Sequence, residues 1–369
     1  HLACEDAEGR RGTFPREAPE RSALYAVGLR PAAGLPAYTL LVAERDWAAL
    51  MAAPRLSNRL TDASFVYGDR RIFYNVGFRA RGSPWTRRKS NNWKLTFGAE
   101  TLDGRRSLML DRQYGHAHPN ERIVYWLIDA LRAPSLRSRY VHLSIPGREE
   151  GICEDVEEVD RRFLRRWFGR SGGEEGGAAG GTDGAAGLLF KVNDYIELAD
   201  EGFRRGMRLR QRAALEVRTD DPEDYRWNFY PRSGGSRDDL VPIVKLAELF
   251  DPGATPDEEF LRRVEAEADL DEWIRVFAAR AAAGDWDTLG RHGGKNAFLF
   301  LPGATHRWLL LPWDCDQTGL RHPPDDPIVS RGHPAFVRFL GLPRYRRAYL
   351  GALAYLATRK LEPEALDAA

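Results

Sequence analysis

The order of apolar and polar positions gives the chain two textures. In its first half, apolar residues recur at the two-residue period of a strand with one buried face. Phe65-Val66-Tyr67, a Gly68-Asp69 turn and the run from Ile72 to Phe78 predict a hairpin over 64–81. Trp93, Leu95 and Phe97 alternate with Lys94 and Thr96, a half-buried strand with Lys94 on its polar face. Further strands are predicted over 38–43 and 140–145, the second ended by Pro146-Gly147. A short helix is predicted around 45–53. Asn120 is expected to cap a helix over 121–132, with Ile123, Trp126, Leu127 and Leu131 on one face.

Beyond residue 187 the texture changes. A strand over 188–192 is followed by apolar residues at helical spacing over 238–250, 256–267 and 269–282. A hairpin then runs out through Ala297–Leu301 and back through Trp308–Leu311, with Pro302-Gly303 at its turn, and 334–358 is helical again. A strand-rich first half and a helix-rich second half predict an α+β protein with two lobes and a cleft between them.

Boundaries come from composition. Residues 1–35, rich in Arg, Glu, Pro and Gly, read as a leader or arm, expected to be poorly ordered. Residues 171–187 are almost all Gly, Ala and acidic residues and read as a flexible insertion with nothing to bury. One domain over 36–369 is thus expected, with an N-lobe over 36–170 and a C-lobe over 188–369. The opening His1-Leu2-Ala3-Cys4 only loosely suggests a lipoprotein cleavage site, since histidine spoils its first position.

Charge narrows the classes. The 369 residues hold 55 Lys+Arg and 54 Asp+Glu, a net charge of +1. That is not the footprint of a chain that binds nucleic acid over its whole surface. No uncharged apolar run approaches the ~20 residues of a membrane span. Three cysteines, Cys4, Cys153 and Cys315, lie too far apart for a metal spacing and are too few for a disulfide framework. Lysine occurs only at 89, 94, 191, 245, 295 and 360; arginine is the default cation. A retained lysine therefore hints at a site that wants a compact ammonium.

The densest polar cluster lies between 285 and 316: Asp285-Trp286-Asp287, Lys295-Asn296, then Pro312-Trp313-Asp314-Cys315-Asp316. The hairpin runs out and back, so Asn296 at its start and Asp314 at its end are brought close, with Asp287 in the loop before it. Oxygen groups delivered together by a rigid ribbon suit Mg²⁺, which also keeps places for water and phosphate. The same order occurs in phosphoryl-transfer enzymes of the protein-kinase type: a loop Asp orients the nucleophile, an Asn holds metal, and a second metal-binding Asp follows. Asp316 stands beside Asp314 as a further ligand or support. Lys94, mid-strand in the first half, with Arg79-Ala80-Arg81-Gly82-Ser83 nearby, stands where a phosphate-binding cation would be needed. No P-loop, dinucleotide fingerprint, H-E-x-x-H or G-x-S-x-G is present, and His116 and His118 lack a third metal ligand.

These residues resemble the spore coat protein H (CotH) kinase-like family. The resemblance runs through Asn75–Ser83, Lys89–Phe97, Glu121-Arg122, Gly151–Leu164 and Leu188–Lys191 to Trp286-Asp287, Asn296 and Pro312–Asp316, most of 36–320. It implies an atypical protein-kinase-like fold that binds ATP and Mg²⁺ or Mn²⁺ and phosphorylates Ser/Thr-rich protein substrates. It also favours a secreted or cell-envelope setting, with a cytoplasmic one left open. Carried over by position, it makes Asp287 the catalytic-loop Asp, and Asn296, Asp314 and Asp316 the metal group. Lys94 and Arg81 fall to the phosphates, and Glu157 to the adenine edge. Histidine commonly precedes the family's Asn; here Lys295 does. Two other readings stay open: a binding or adhesion module with a degenerate nucleotide site, and an adenylyl transferase, since both transfers need clamped phosphates and metal.

Overall fold

The structure is a computed structural model that describes residues 2–5, 7–14, 34–68, 71–82, 87, 92–112, 119–169, 186–198, 207–233, 239–291, 294–318, 327–329 and 333–367. The flexible insertion lies outside these up to residue 185, as do 15–33 of the expected leader, His116 and His118. The chain divides into two compact units. One comprises residues 1–118 and 138–156, the other 119–137 and 157–369.

The first unit is a closed barrel. A short antiparallel hairpin, β1 (Leu2–Glu5) and β2 (Arg11–Phe14), precedes it. The barrel strands are β3 (Ala37–Leu41), β4 (Thr61–Tyr67), β5 (Arg71–Ala80), β6 (Trp93–Thr96), β7 (Ser107–Asp111), β8 (Ser138–Ile145) and β9 (Glu149–Val156), with helix α1 (Glu44–Ala52) between β3 and β4. Their order is β3-β4-β5-β6-β7-β9-β8. The ring closes where β3 pairs parallel to β8, Tyr38 opposite Leu143; the other pairings are antiparallel.

The alternation explains the filling. Trp93 and Leu95 of β6 are wholly buried, as are Phe65, Phe78, Leu108 and Leu110 from neighbouring strands, while Lys94 and Thr96 take the other face. Phe78 and Trp93 pack with ring centroids 4.6 Å apart. A buried Asp155 ties β9 to its neighbours: it accepts from Tyr38 Oη at 2.7 Å and from both Arg105 nitrogens at 2.8 and 2.6 Å. A carboxylate so buried is tolerated because charged, bidentate donors replace its water.

The second unit mixes helices with a small sheet. In order it holds α2 (Asn120–Ala130), α3 (Arg161–Phe168), β10 (Gly187–Val192), β11 (Tyr195–Leu198), β12 (Met207–Gln211), β13 (Phe229–Pro231), α4 (Val241–Phe250), α5 (Asp257–Glu267), α6 (Leu270–Ala282), β14 (Ala297–Pro302), β15 (Leu309–Pro312), α7 (Pro334–Leu340), α8 (Pro343–Arg359) and α9 (Pro363–Asp367). Its main sheet runs β13-β10-β14-β15, all antiparallel, and β11 and β12 form a separate hairpin. Helix α6 is its buried spine, with Trp273, Ile274, Val276, Phe277 and Ala278 almost wholly covered.

Strands and helices together make the protein α+β, as the two textures predict. One local expectation is corrected. Asn120 is not the cap of α2; Pro119 is, and Asn120 is the first helical residue. Its amide instead donates to the carbonyls of Asp316 at 3.2 Å and Thr318 at 3.4 Å. The stretch 334–358 is helical as expected, in two helices: Gly341-Leu342-Pro343 separates them, and Pro343 opens the second, where its missing N–H costs nothing. Cys153 and Cys315 are both free and buried.

Candidate active site

The hairpin β14–β15 builds the site. Its last rung pairs Ala297 with Pro312, so Asn296 and Trp313 leave the sheet side by side at the open end. Asn296 and Asp314 both adopt left-handed backbones, with φ of 61° and 53°. Asn and Asp enter that region most readily among residues with a Cβ, because a short polar side chain bonds locally, yet each still costs about 1–2 kcal/mol. Two such residues at the mouth of one hairpin mark a place where geometry outweighs local comfort.

Asp287, Lys295 and Asn296 converge directly. Asn296 Nδ2 donates to the Asp287 carbonyl at 2.7 Å and to its Oδ2 at 3.3 Å. The same Oδ2 takes the Lys295 ammonium at 3.0 Å. With Nδ2 turned to Asp287, Oδ1 is the Asn296 atom suited to a cation. Burial pulls the Lys295 pKa down, but Asp287 outweighs it, with Asp314 and Asp194 acting the same way, so the ammonium is held charged. Asp314, two residues past the last rung, therefore lies within electrostatic reach of the cluster. Asp316 follows, its Oδ2 accepting from Gln317 Nε2 at 3.3 Å.

Behind these residues stands a buried ion pair. Arg280 of α6 is 2% exposed; its Nε and Nη2 both lie 2.7 Å from Oδ2 of Asp285, which is fully buried. Arg280 Nη1 donates to the carbonyls of Asn296 at 2.6 Å and Trp313 at 3.3 Å. One guanidinium thus holds both exits of the hairpin. Burial pushes the Asp285 carboxyl up to about 6 against the pull of Arg280. Burial alone would lower the Arg280 pKa; the Asp285 charge raises it instead. The first turn of α2 supports the next stretch: Glu121 Oε1 accepts from the Cys315 N–H at 3.3 Å and from the Tyr125 hydroxyl. Gly294 leaves no room for a side chain, since a Cβ there would fall 1.4 Å from the Ala213 carbonyl oxygen.

The other sequence-predicted residues are placed as follows. Lys94 projects from the polar face of β6, opposite Arg79 in the ladder, and Arg81 pairs with Asp111; both belong to the barrel unit. Glu157 belongs to the second unit, where its carboxylate accepts from the Arg137 N–H at 3.0 Å and pairs with Arg166. Sequence reasoning missed Lys295, Arg280 and Glu121 as parts of the site. For Lys295 the signal was there, in a chain that seldom uses lysine.

Among the described residues no three His, Cys, Asp or Glu side chains gather as a metal cage. The donors present, an amide and carboxylates, suit a hard cation that completes its shell with water and phosphate, not zinc.

The sequence matches the CotH kinase protein family over residues 78–367, and the chain belongs to that family. Among curated proteins no match is found. Among solved structures, a chain of the Shewanella oneidensis MR-1 HipA–HipB toxin–antitoxin complex with its operator DNA aligns at 13% identity and a TM-score of 0.24. The alignment covers 85% of this chain and 61% of that one.

Proposed function

We propose that this chain is a protein-kinase-like phosphotransferase that uses ATP with Mg²⁺ or Mn²⁺ to phosphorylate Ser/Thr hydroxyls of a protein substrate. The observation that carries the reading is the convergence of Lys295, Asp287 and Asn296 at the mouth of the hairpin whose other strand delivers Asp314. Family membership supports the same class.

In this reading Asp287 orients the acceptor hydroxyl and takes its proton late in a loose transition state. Asn296 Oδ1 and the Asp314 carboxylate hold the cation, with Asp316 as further ligand or support. The cation, when bound, neutralises charge on the transferring phosphoryl group. Arg280 fixes the two backbone carbonyls from which these ligands project. Lys94 and Arg81 are assigned to the nucleotide phosphates and Glu157 to the adenine edge.

Incubation with γ- or α-labelled ATP and a Ser-rich protein tests the reading. Transfer of the γ label, cut about 10²-fold or more by D287N and abolished by D314N, is the expected result. D287N should keep metal-dependent nucleotide binding and D314N should lose it. Transfer of the α label would make the protein an adenylyl transferase. Nucleotide binding without transfer of either label would make it a binding module.

A further inference from the structure

Lys295 carries chemistry that the assigned roles do not use. Its ammonium lies 3.0 Å from Asp287 Oδ2, with the two side chains only 18% and 16% exposed. Asp314 and Asp194 add their fields to it. Asp194, just past β10, is itself anchored, its Oδ1 accepting from the Ala213 N–H at 3.0 Å. Of the other cations in this unit, Lys191 stands over Trp313, 5.1 Å from the ring centroid, and Arg280 is bound to Asp285. One ammonium is thus paired with Asp287, in the field of two further carboxylates, at the place where a divalent cation would be needed.

A physical consequence follows. A cation drawn to Asn296 and Asp314 arrives beside a positive charge that already neutralises Asp287. In a half-buried site that repulsion is weakly screened. A nucleotide changes the balance, because its polyphosphate offers the ammonium a stronger partner than one carboxylate. We propose that Lys295 is a built-in counter-ion of the acidic cluster, which holds Asp287 in the nucleotide-free protein and makes divalent-cation binding depend on an incoming polyphosphate. Cation and nucleotide are then coupled ligands, each raising the affinity for the other by the same factor. The inference rests on the reading of the cluster as a metal and nucleotide site.

The test measures Mn²⁺ binding, from the electron paramagnetic resonance signal of the free ion, with and without a non-hydrolysable ATP analogue. Wild type is compared with K295M, K295Q and K295R, each checked for folding by near-ultraviolet circular dichroism. Mn²⁺ alone should bind about tenfold more tightly to K295M and K295Q than to wild type, while K295R, which keeps the charge, stays near wild type. The factor by which the analogue tightens Mn²⁺ binding should be about tenfold smaller in K295M and K295Q than in wild type, leaving the coupling that comes from phosphate in the cation's own shell. Should methionine disturb the loop, K295Q carries the comparison alone. Equal Mn²⁺ affinities in wild type and K295Q, or an undiminished coupling factor, overturn the role of Lys295. Absence of Mn²⁺ binding in all four proteins overturns the metal-site reading and this inference together. Coupling as expected without transfer of labelled phosphate leaves Lys295 in its role and removes only the phosphotransferase reading.

Discussion

Arg280 shows what one residue decides here. It sits on the face of α6 that also buries Trp273 and Phe277, a place where an unpaired charge would be costly. It is kept charged by Asp285 and spends its remaining donor on the carbonyls of Asn296 and Trp313. Replacing it by Met leaves the buried Asp285 without its countercharge, which should cost about 3–5 kcal/mol. Replacing it by Lys keeps the charge, but an ammonium on a flexible stem does not reproduce a planar fork with three fixed contacts. R280K is therefore expected to lose less stability in urea unfolding than R280M, yet to weaken Mn²⁺ and nucleotide binding. Wild-type binding by R280K would show that the guanidinium only fills space. In the sequence Asp285 stood out within the acidic run, whereas Arg280 was one arginine among many on a helix that otherwise read as apolar. Its role depends on two carbonyls far along the chain, which no local pattern encodes.

At the scale of elements, the buried edge of the sheet raises a similar problem of unpaired polar groups. Strand β15 is the edge strand, and its Leu310 N–H points away from β14. Glu272 of α6 answers it: Oε2 of its buried carboxyl accepts from the Leu310 N–H at 2.9 Å. Burial pushes that carboxyl well above its usual range, against the pull of the Leu310 N–H. The sign then follows from linkage. A carboxyl whose folded pKa lies above its unfolded value of 4.5 gives the folded state more protons, so stability falls as pH rises from 4.5 toward the folded pKa. E272Q should flatten that fall, because its amide accepts the same bond without titrating. E272A should cost about 1–3 kcal/mol for the orphaned N–H, plus a cavity. An unchanged pH slope of unfolding in E272Q would refute the assignment. Elements with a clean period, such as the hairpin β14–β15 and helix α6, were legible in the sequence. Closure of the barrel was not, because periodicity gives the faces of strands and not their partners, and the parallel β3–β8 pairing joins segments a hundred residues apart. Asn120 misled for a related reason: its type favours a helix cap, but the carbonyls of Asp316 and Thr318 claimed its amide.

Across the whole molecule, the residues assigned to ATP divide by unit: Lys94 and Arg81 in the barrel, and Glu157, Asp287, Asn296, Asp314 and Asp316 in the second unit. Each unit buries apolar residues of its own. What the reading demands is a thermodynamic link between nucleotide, cation and native structure. The acidic cluster alone repels a polyphosphate; with a cation bound to Asn296 and Asp314 the repulsion becomes attraction. Nucleotide should therefore stabilise the protein only when Mg²⁺ or Mn²⁺ is present. A ligand that binds only the native state at a hundred times its dissociation constant adds about 2.7 kcal/mol. In a chain of 369 residues that raises the melting temperature by a few degrees, on the order of 1–2 °C per kcal/mol. The measurement is a thermal-shift titration of ATP with metal and with EDTA, on wild type, D314N and K94M. Wild type should shift only with metal, D314N should not shift, and K94M should need more ATP for the same shift. Equal shifts with metal and with EDTA would mean that nucleotide binds without the cluster, and the metal assignments of Asn296 and Asp314 would fall. A normal shift in K94M would remove Lys94 from the phosphates while leaving the hairpin site intact.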